Sequence, residues 1–103
     1  MKDYASMSDH QINREVQKLT GIGCMSGNGV LIIADGRWRT FDPCNNPADA
    51  WPIITSSMIS SRPVGNDGQL WEASGMDGMK ANYDKNPLRA AMVVFLMMKE
   101  GEK

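Results

Sequence analysis

The chain has 103 residues, with 12 acidic against 11 basic side chains and a formal net charge of -1. That length is one domain with room for a core. The balanced charge lacks the basic footprint of a nucleic-acid binder, so nucleic acid is not an expected partner. The stretch MKDYASMSDH has no apolar segment of the kind a secretory signal needs. Cys24 and Cys44 allow at most one bridge, and reduced thiols in a cytoplasmic protein are the expectation.

The spacing predicts a first helix over Asp9–Thr20. Ser8 is its N-cap and Gln11 stands at N3, a capping box, with Met7 placed to staple onto Ile12. Ile12, Val16 and Leu19 recur at helical spacing as the apolar face. Asn13, Arg14, Gln17 and Lys18 are assigned to solvent, and Gly21 closes the helix. The glycine-rich GIGCMSGNG that follows is read as a flexible connection or a hairpin turn over Ser26–Gly29. A phosphate cradle needs a strand leading into a helix. Here the order is helix, loop, strand, so the loop is not read as one.

Val30–Ala34 is a continuous apolar run and is read as a buried strand. Asp35-Gly36 is a hairpin turn, and Arg37–Phe41 returns. Alternation puts Arg37, Arg39 and Phe41 on one face, Trp38 and Thr40 on the other. FDPCNNPADAWPII then allows two helix starts. Asn46 can cap with Pro47 at N1 and Asp49 at N3, which leaves Pro52 inside; or Asp49 caps and Pro52 falls in the first turn. Trp51, Ile53, Ile54 and Met58 form that helix's apolar side, and it ends near Ser57–Ser60.

Beyond it the chain is turn-rich. Arg62-Pro63-Val64 is extended. Turns are expected over Gly65–Gly68 and Gly75–Gly78, a strand over Gln69–Ser74 and a paired strand over Met79–Tyr83. Asn86 then caps a last helix running to Glu100, with Pro87 at N1 and Gly101 at its end. From Ala90 to Met98 that helix has no polar residue, so it is expected to be buried on every side. Nine residues fall far short of the ~20 of a membrane span, so no membrane is expected. The fold class that follows is α+β: a small antiparallel sheet of three to five strands packed against about three helices, with the C-terminal helix buried.

The chemistry-bearing residues crowd the strand-to-helix junction. Asp42, Cys44, Asn45, Asn46, Asp49 and Trp51, with Arg37 and Arg39 on the strand before them, form the candidate binding site. Amides, a carboxylate, free helix N–H groups, a ring for stacking and two guanidinium groups suit a small anionic ligand or a nucleotide. A helix N-terminus lowers a thiol pKa, but a cysteine enzyme also needs a base, and His10 is the one histidine. Cys24, Cys44 and His10 have no metal-ligand spacing. No catalytic residue, metal or cofactor is therefore expected.

Three blocks carry a family resemblance: the SDHQIN helix start, DPCNNPADAWPII and NPLRAAMVVFLMM. With them the chain, from about Met7 to Glu100, resembles the NinX family of small proteins of lambdoid phages and related prophages, encoded among accessory nin-region genes. The resemblance implies a phage-encoded protein acting in the host cell cytoplasm, in a non-structural and dispensable role. It transfers no catalytic residues. Trp38, Trp71 and Tyr83 on a small sheet are of the types that anchor protein interfaces. The expected function is accordingly non-enzymatic: binding and modulating a host bacterial protein, with an anti-defence inhibitor as the analogy. The alternative is a small-molecule or nucleotide binder that uses residues 42–51 with Arg37 and Arg39. An oligomer is compatible with either.

Overall fold

The computed structural model describes residues 4–26, 29–34, 36–65, 69–75 and 81–101. After a 3-10 turn at Tyr4–Ser6 come α1 (Asp9–Thr20), β1 (Cys24–Ser26), β2 (Gly29–Ala34), β3 (Arg37–Thr40), α2 (Pro47–Ser56), β4 (Ser60–Val64), β5 (Leu70–Ser74), β6 (Ala81–Asp84) and α3 (Pro87–Gly101). The class is α+β, as the apolar patterns require. Its strands divide into two antiparallel sheets rather than one, ordered β1-β2-β3 and β4-β5-β6.

The last helix is the centre of the molecule. Asn86 caps it by accepting the N–H groups of Leu88 at 2.9 Å and Arg89 at 3.4 Å. Ala90 through Leu96 are each 4 % exposed or less. β4, β5 and β6 pack on α3, as do α1 and α2, and α1 in turn packs on β1 and β2. No stripe of α3 is polar because no side of its middle meets water.

α1 has the expected ends. Ser8 and Gln11 make both capping-box bonds, and Gly21 closes the helix in the left-handed region at φ 71°. Met7 packs against the core cluster that contains Ile12. The faces differ from expectation at two positions. Leu19 is 47 % exposed, whereas Asn13 is buried. Asn13 lies one turn after Asp9 on the side facing the junction, and it makes hydrogen bonds there instead of meeting solvent.

The glycine-rich segment is more structured than a loop. Cys24–Ser26 pairs with β2, Ser26 standing opposite Gly29. Residues 27 and 28, in the expected hairpin turn, lie outside the described residues. Gly23 permits the pairing: at φ 75° a Cβ would stand 2.5 Å from the Leu31 carbonyl oxygen. β2 is buried only in part. Val30 is covered, Leu31 and Ile32 are half-buried, and Ile33 is 61 % exposed. An apolar run does not by itself say that both faces of a strand are covered, and here one is open. Asp35 of the β2–β3 turn is outside the described residues. So are parts of the turns expected after Gly65 and Gly75, and Met79 at the start of the expected last strand.

Of the two starts for α2, the chain takes the first. Asn46 caps, its side chain accepting the Ala48 N–H, Pro47 occupies N1, and Pro52 lies inside the helix. The expected apolar side divides: Ile53 and Ile54 are buried, while Trp51 and Met58 are 63 % and 61 % exposed. α2 ends at Ser56, where Met58 takes φ 54° and the Ile59 N–H returns to the Ile54 carbonyl at 3.0 Å. That is a left-handed helix stop made without glycine.

Candidate functional site

The strand-to-helix junction is a closed polar network. Asp49, at N3 of α2, is buried and accepts both ends of the Arg39 guanidinium, from Nη1 at 2.9 Å and Nη2 at 2.6 Å. Its Oδ2 also accepts the Asp42 backbone N–H at 2.9 Å. A buried carboxylate is tolerable only with such partners. Asp42 Oδ1 accepts from Asn13 Nδ2 at 2.8 Å, and Asn45 Nδ2 donates to both Asp42 oxygens and to Asp9 Oδ2. Asn13 Oδ1 accepts the Cys44 N–H at 3.3 Å.

Two residues from the start of α3 complete the network. Asn86 Nδ2 donates to the Cys44 carbonyl and to Asn45 Oδ1. Arg89, only 13 % exposed, pairs with Asp84 through Nε and with Asp9 through Nη1. Its Nη2 donates to the carbonyls of Tyr4 at 3.1 Å and Met7 at 2.6 Å. Among the described residues no buried side-chain nitrogen or oxygen lacks a partner.

Of the residues singled out in the sequence, Arg39, Asp42, Cys44, Asn45, Asn46 and Asp49 come together here. Their polar groups bond one another, neighbouring elements or the helix start. Arg37 is exposed at the far end of β3. Trp51 points to a separate groove of about 330 Å³, with Met58, Ile59, Pro87 and Leu88 among its walls.

Asp9, Asn13, Asp84, Asn86 and Arg89 are equal members of the network that the sequence reading left out of it. One signal was available for Asn13: it continues an Asp9–Asn13–Val16 row at i, i+4 and i+7, the spacing of one helix face. Arg89, a charge at the entrance to an apolar helix, was a second.

The Cys44 thiol is buried and held in its neutral form. Burial, with the Asp9 carboxylate as the next cause, pushes its thiol up to about 12. The helix start does lie close by, but loss of solvent outweighs it, and a neutral buried thiol is inert. His10 is exposed, with its ring beside Gly29 on β2. Among the described residues no group of His, Cys, Asp and Glu side chains is arranged to hold a metal ion. No helix among them is long and apolar enough to cross a membrane.

The open face of the β1–β3 sheet is different in kind. Ile33 stands opposite Trp38, and the two are 61 % and 58 % exposed. Leu31, opposite Thr40 and Cys24, continues the same face. Ile33 and Trp38 are open to solvent here, and Leu31 beside them is half-buried.

These features define a small α+β domain whose junction is a structural clasp and whose uncommitted surface is an apolar sheet face. Its sequence matches the family described as Bacteriophage P22, NinX over residues 3–99, and the chain belongs to that family. No curated protein and no solved structure matches it. The three sequence blocks that carried the resemblance, at the starts of α1, α2 and α3, are the ones the polar network ties together.

Proposed function

We propose that this phage protein is a non-enzymatic accessory factor that binds a host protein in the host cytoplasm through the open face of its first sheet. The observation that carries this reading is the Ile33–Trp38 pair, adjacent across two strands and more than half exposed. Trp is enriched among residues that dominate binding energy, and contiguous exposed apolar side chains mark interaction surfaces. The polar junction supports the reading by contrast, since its groups already satisfy one another. Inhibition of a host defence component is the form suggested by analogy with other small phage proteins.

Affinity capture from a host extract tests this, with wild-type protein and the Trp38→Ala variant run side by side. Removing an anchor of this kind costs about 2 kcal/mol or more of binding, roughly thirty-fold in affinity. The expected outcome is one host protein recovered by the wild type and lost with Trp38→Ala. Equal recovery by both would refute the assignment of the face.

A small ligand is the second reading, favoured by the groove beside Trp51. Its volume of about 330 Å³ lies at the lower end for ligand pockets. A nucleotide held at 100 times its dissociation constant adds about 2.7 kcal/mol to stability. A thermal shift of that size, lost in Trp51→Ala, would favour the ligand. No shift across a nucleotide panel favours the protein partner.

A further inference from the structure

We propose that β3 takes up an extended, acidic segment of its protein partner as an added strand, a mode of binding that rests on the Trp38 face being the partner surface. The hydrogen-bond pattern of the β2–β3 pair sets what β3 offers. The Phe41 N–H donates to the Val30 carbonyl at 2.8 Å, so Val30 and Phe41 form a hydrogen-bonded pair. By alternation, Ile32–Arg39 and Ala34–Arg37 are of that type, and Leu31–Thr40 and Ile33–Trp38 are not. The backbone groups of Trp38 and Thr40 therefore point away from β2. β3 is an end strand, so they point off the sheet. Arg39 Nη1 reaches the Thr40 carbonyl, while the Trp38 N–H and C=O have no partner among the described residues.

The other sheet ends are poorer templates. β1 has three residues, β4 contains Pro63, which has no N–H to offer, and on β6 the exposed Tyr83 hydroxyl is already committed to Glu72. β3 joins outward backbone groups to an exposed apolar face. Strand addition draws affinity from such backbone bonds and selectivity from the alternating side chains.

Charge decides the occupant. Arg37 is exposed and makes no ion pair among the described residues. A strand laid along β3 places one residue directly opposite it, and opposite charges in that position attract. A second copy of this chain does not fit. The outward groups of Trp38 and Thr40 must meet their own counterparts across a two-fold axis. Centring on Trp38 sets Arg37 against Arg39 of the copy, which is already paired with Asp49, and centring on Arg39 sets Arg37 against Phe41. Neither register gives Arg37 a carboxylate partner. Centring on Thr40 carries the pairing into buried Phe41, past the end of the strand. A partner strand with an apolar residue opposite Trp38 and a carboxylate opposite Arg37 meets every requirement.

The test uses the intact protein and two synthetic octapeptides, one alternating valine with glutamate and one alternating valine with lysine. Binding is followed by amide NMR shifts and hydrogen exchange. The expected result is that the acidic peptide binds tighter by up to about five-fold, the upper size of one cross-strand charge pair. It should shift and protect the Trp38 and Thr40 amides. Arg37→Glu should reverse the preference. Thr40→Pro should abolish binding, because it removes an outward N–H while keeping the Trp38 ring and Arg37; its thermal midpoint reports that the fold is kept. Equal binding of the two peptides, no binding of either, or shifts centred on the Trp51 groove would overturn the proposal. In the host capture experiment, retention by both Arg37→Glu and Thr40→Pro with loss in Trp38→Ala would overturn strand addition but keep the face. Retention by Trp38→Ala would remove the face as well.

Discussion

Asn13 is the sharpest test of the polar clasp. It is buried, donates to the Asp42 carboxylate at 2.8 Å and accepts the Cys44 N–H at 3.3 Å. In Asn13→Ala the Asp42 carboxylate keeps Asn45 as a donor, so its loss is modest. The Cys44 N–H is buried and would have no acceptor, which costs about 1–3 kcal/mol, and the lost bond to Asp42 adds a smaller amount. Because these effects overlap, the expected destabilisation is about 2–4 kcal/mol, a large part of the ~5–15 kcal/mol typical of a domain. Urea unfolding reads it as a lower midpoint at unchanged slope.

Asn13→Asp sharpens the test. It keeps an acceptor for Cys44 but sets a second carboxylate against Asp42, and two such groups share one proton. One of them then has a folded-state pKa raised above its unfolded value. That contribution is present below the unfolded pKa and lost as pH rises through the folded one. Asn13→Asp should therefore approach wild-type stability near pH 4 and fall well below it at pH 7. A midpoint for Asn13→Ala within about 0.5 kcal/mol of wild type, the range of an ordinary surface change, would refute the structural role given to the network.

Other consequences are open to measurement. Met58 holds a left-handed backbone, which costs about 1 kcal/mol that glycine avoids, so Met58→Gly should raise the thermal midpoint by several degrees. A lowered midpoint would mean that the exposed Met58 side chain has a stabilising contact. Met92 is fully buried in α3, and Met92→Ala should cost about 2–5 kcal/mol by denaturant unfolding. A cost under 1 kcal/mol would contradict the packing described for that helix. Iodoacetamide at pH 8 should add once to the native protein, at exposed Cys24, and twice in urea, because the Cys44 thiol is held near 12; two native adducts by mass spectrometry would exclude that. Tyr4 is also pushed up to about 12, by burial and by its 2.6 Å bond to Glu100. Both groups ionise earlier in the unfolded chain, so stability should decline between about pH 9 and pH 12; a flat profile there would refute the assignment.

Local signals carried much of the fold. The Ser8–Gln11 capping box, Gly21 and the Asn86-Pro87 start act within a turn or two of themselves and appear where their residues place them, whereas the choice of Asn46 over Asp49 as the cap of α2 came from the structure. The unbroken apolar span of α3 announced burial because nothing in it would tolerate the alternative. What local patterns lack is the identity of the neighbour. Val30 and Ile33 look equivalent in the sequence, yet one meets α1's side of the sheet and the other meets water. Asn13 looks like a surface residue until the junction arrives beside it. Arg39 and Asp49 look like ligand-binding groups until they bind each other at 2.6 Å. Cap and period belong to the chain, since they follow from backbone geometry over a few residues. Which polar groups are satisfied, and which apolar face stays bare, belong to the tertiary structure, because each depends on segments far apart in sequence meeting, as Tyr4 and Glu100 do across 96 positions.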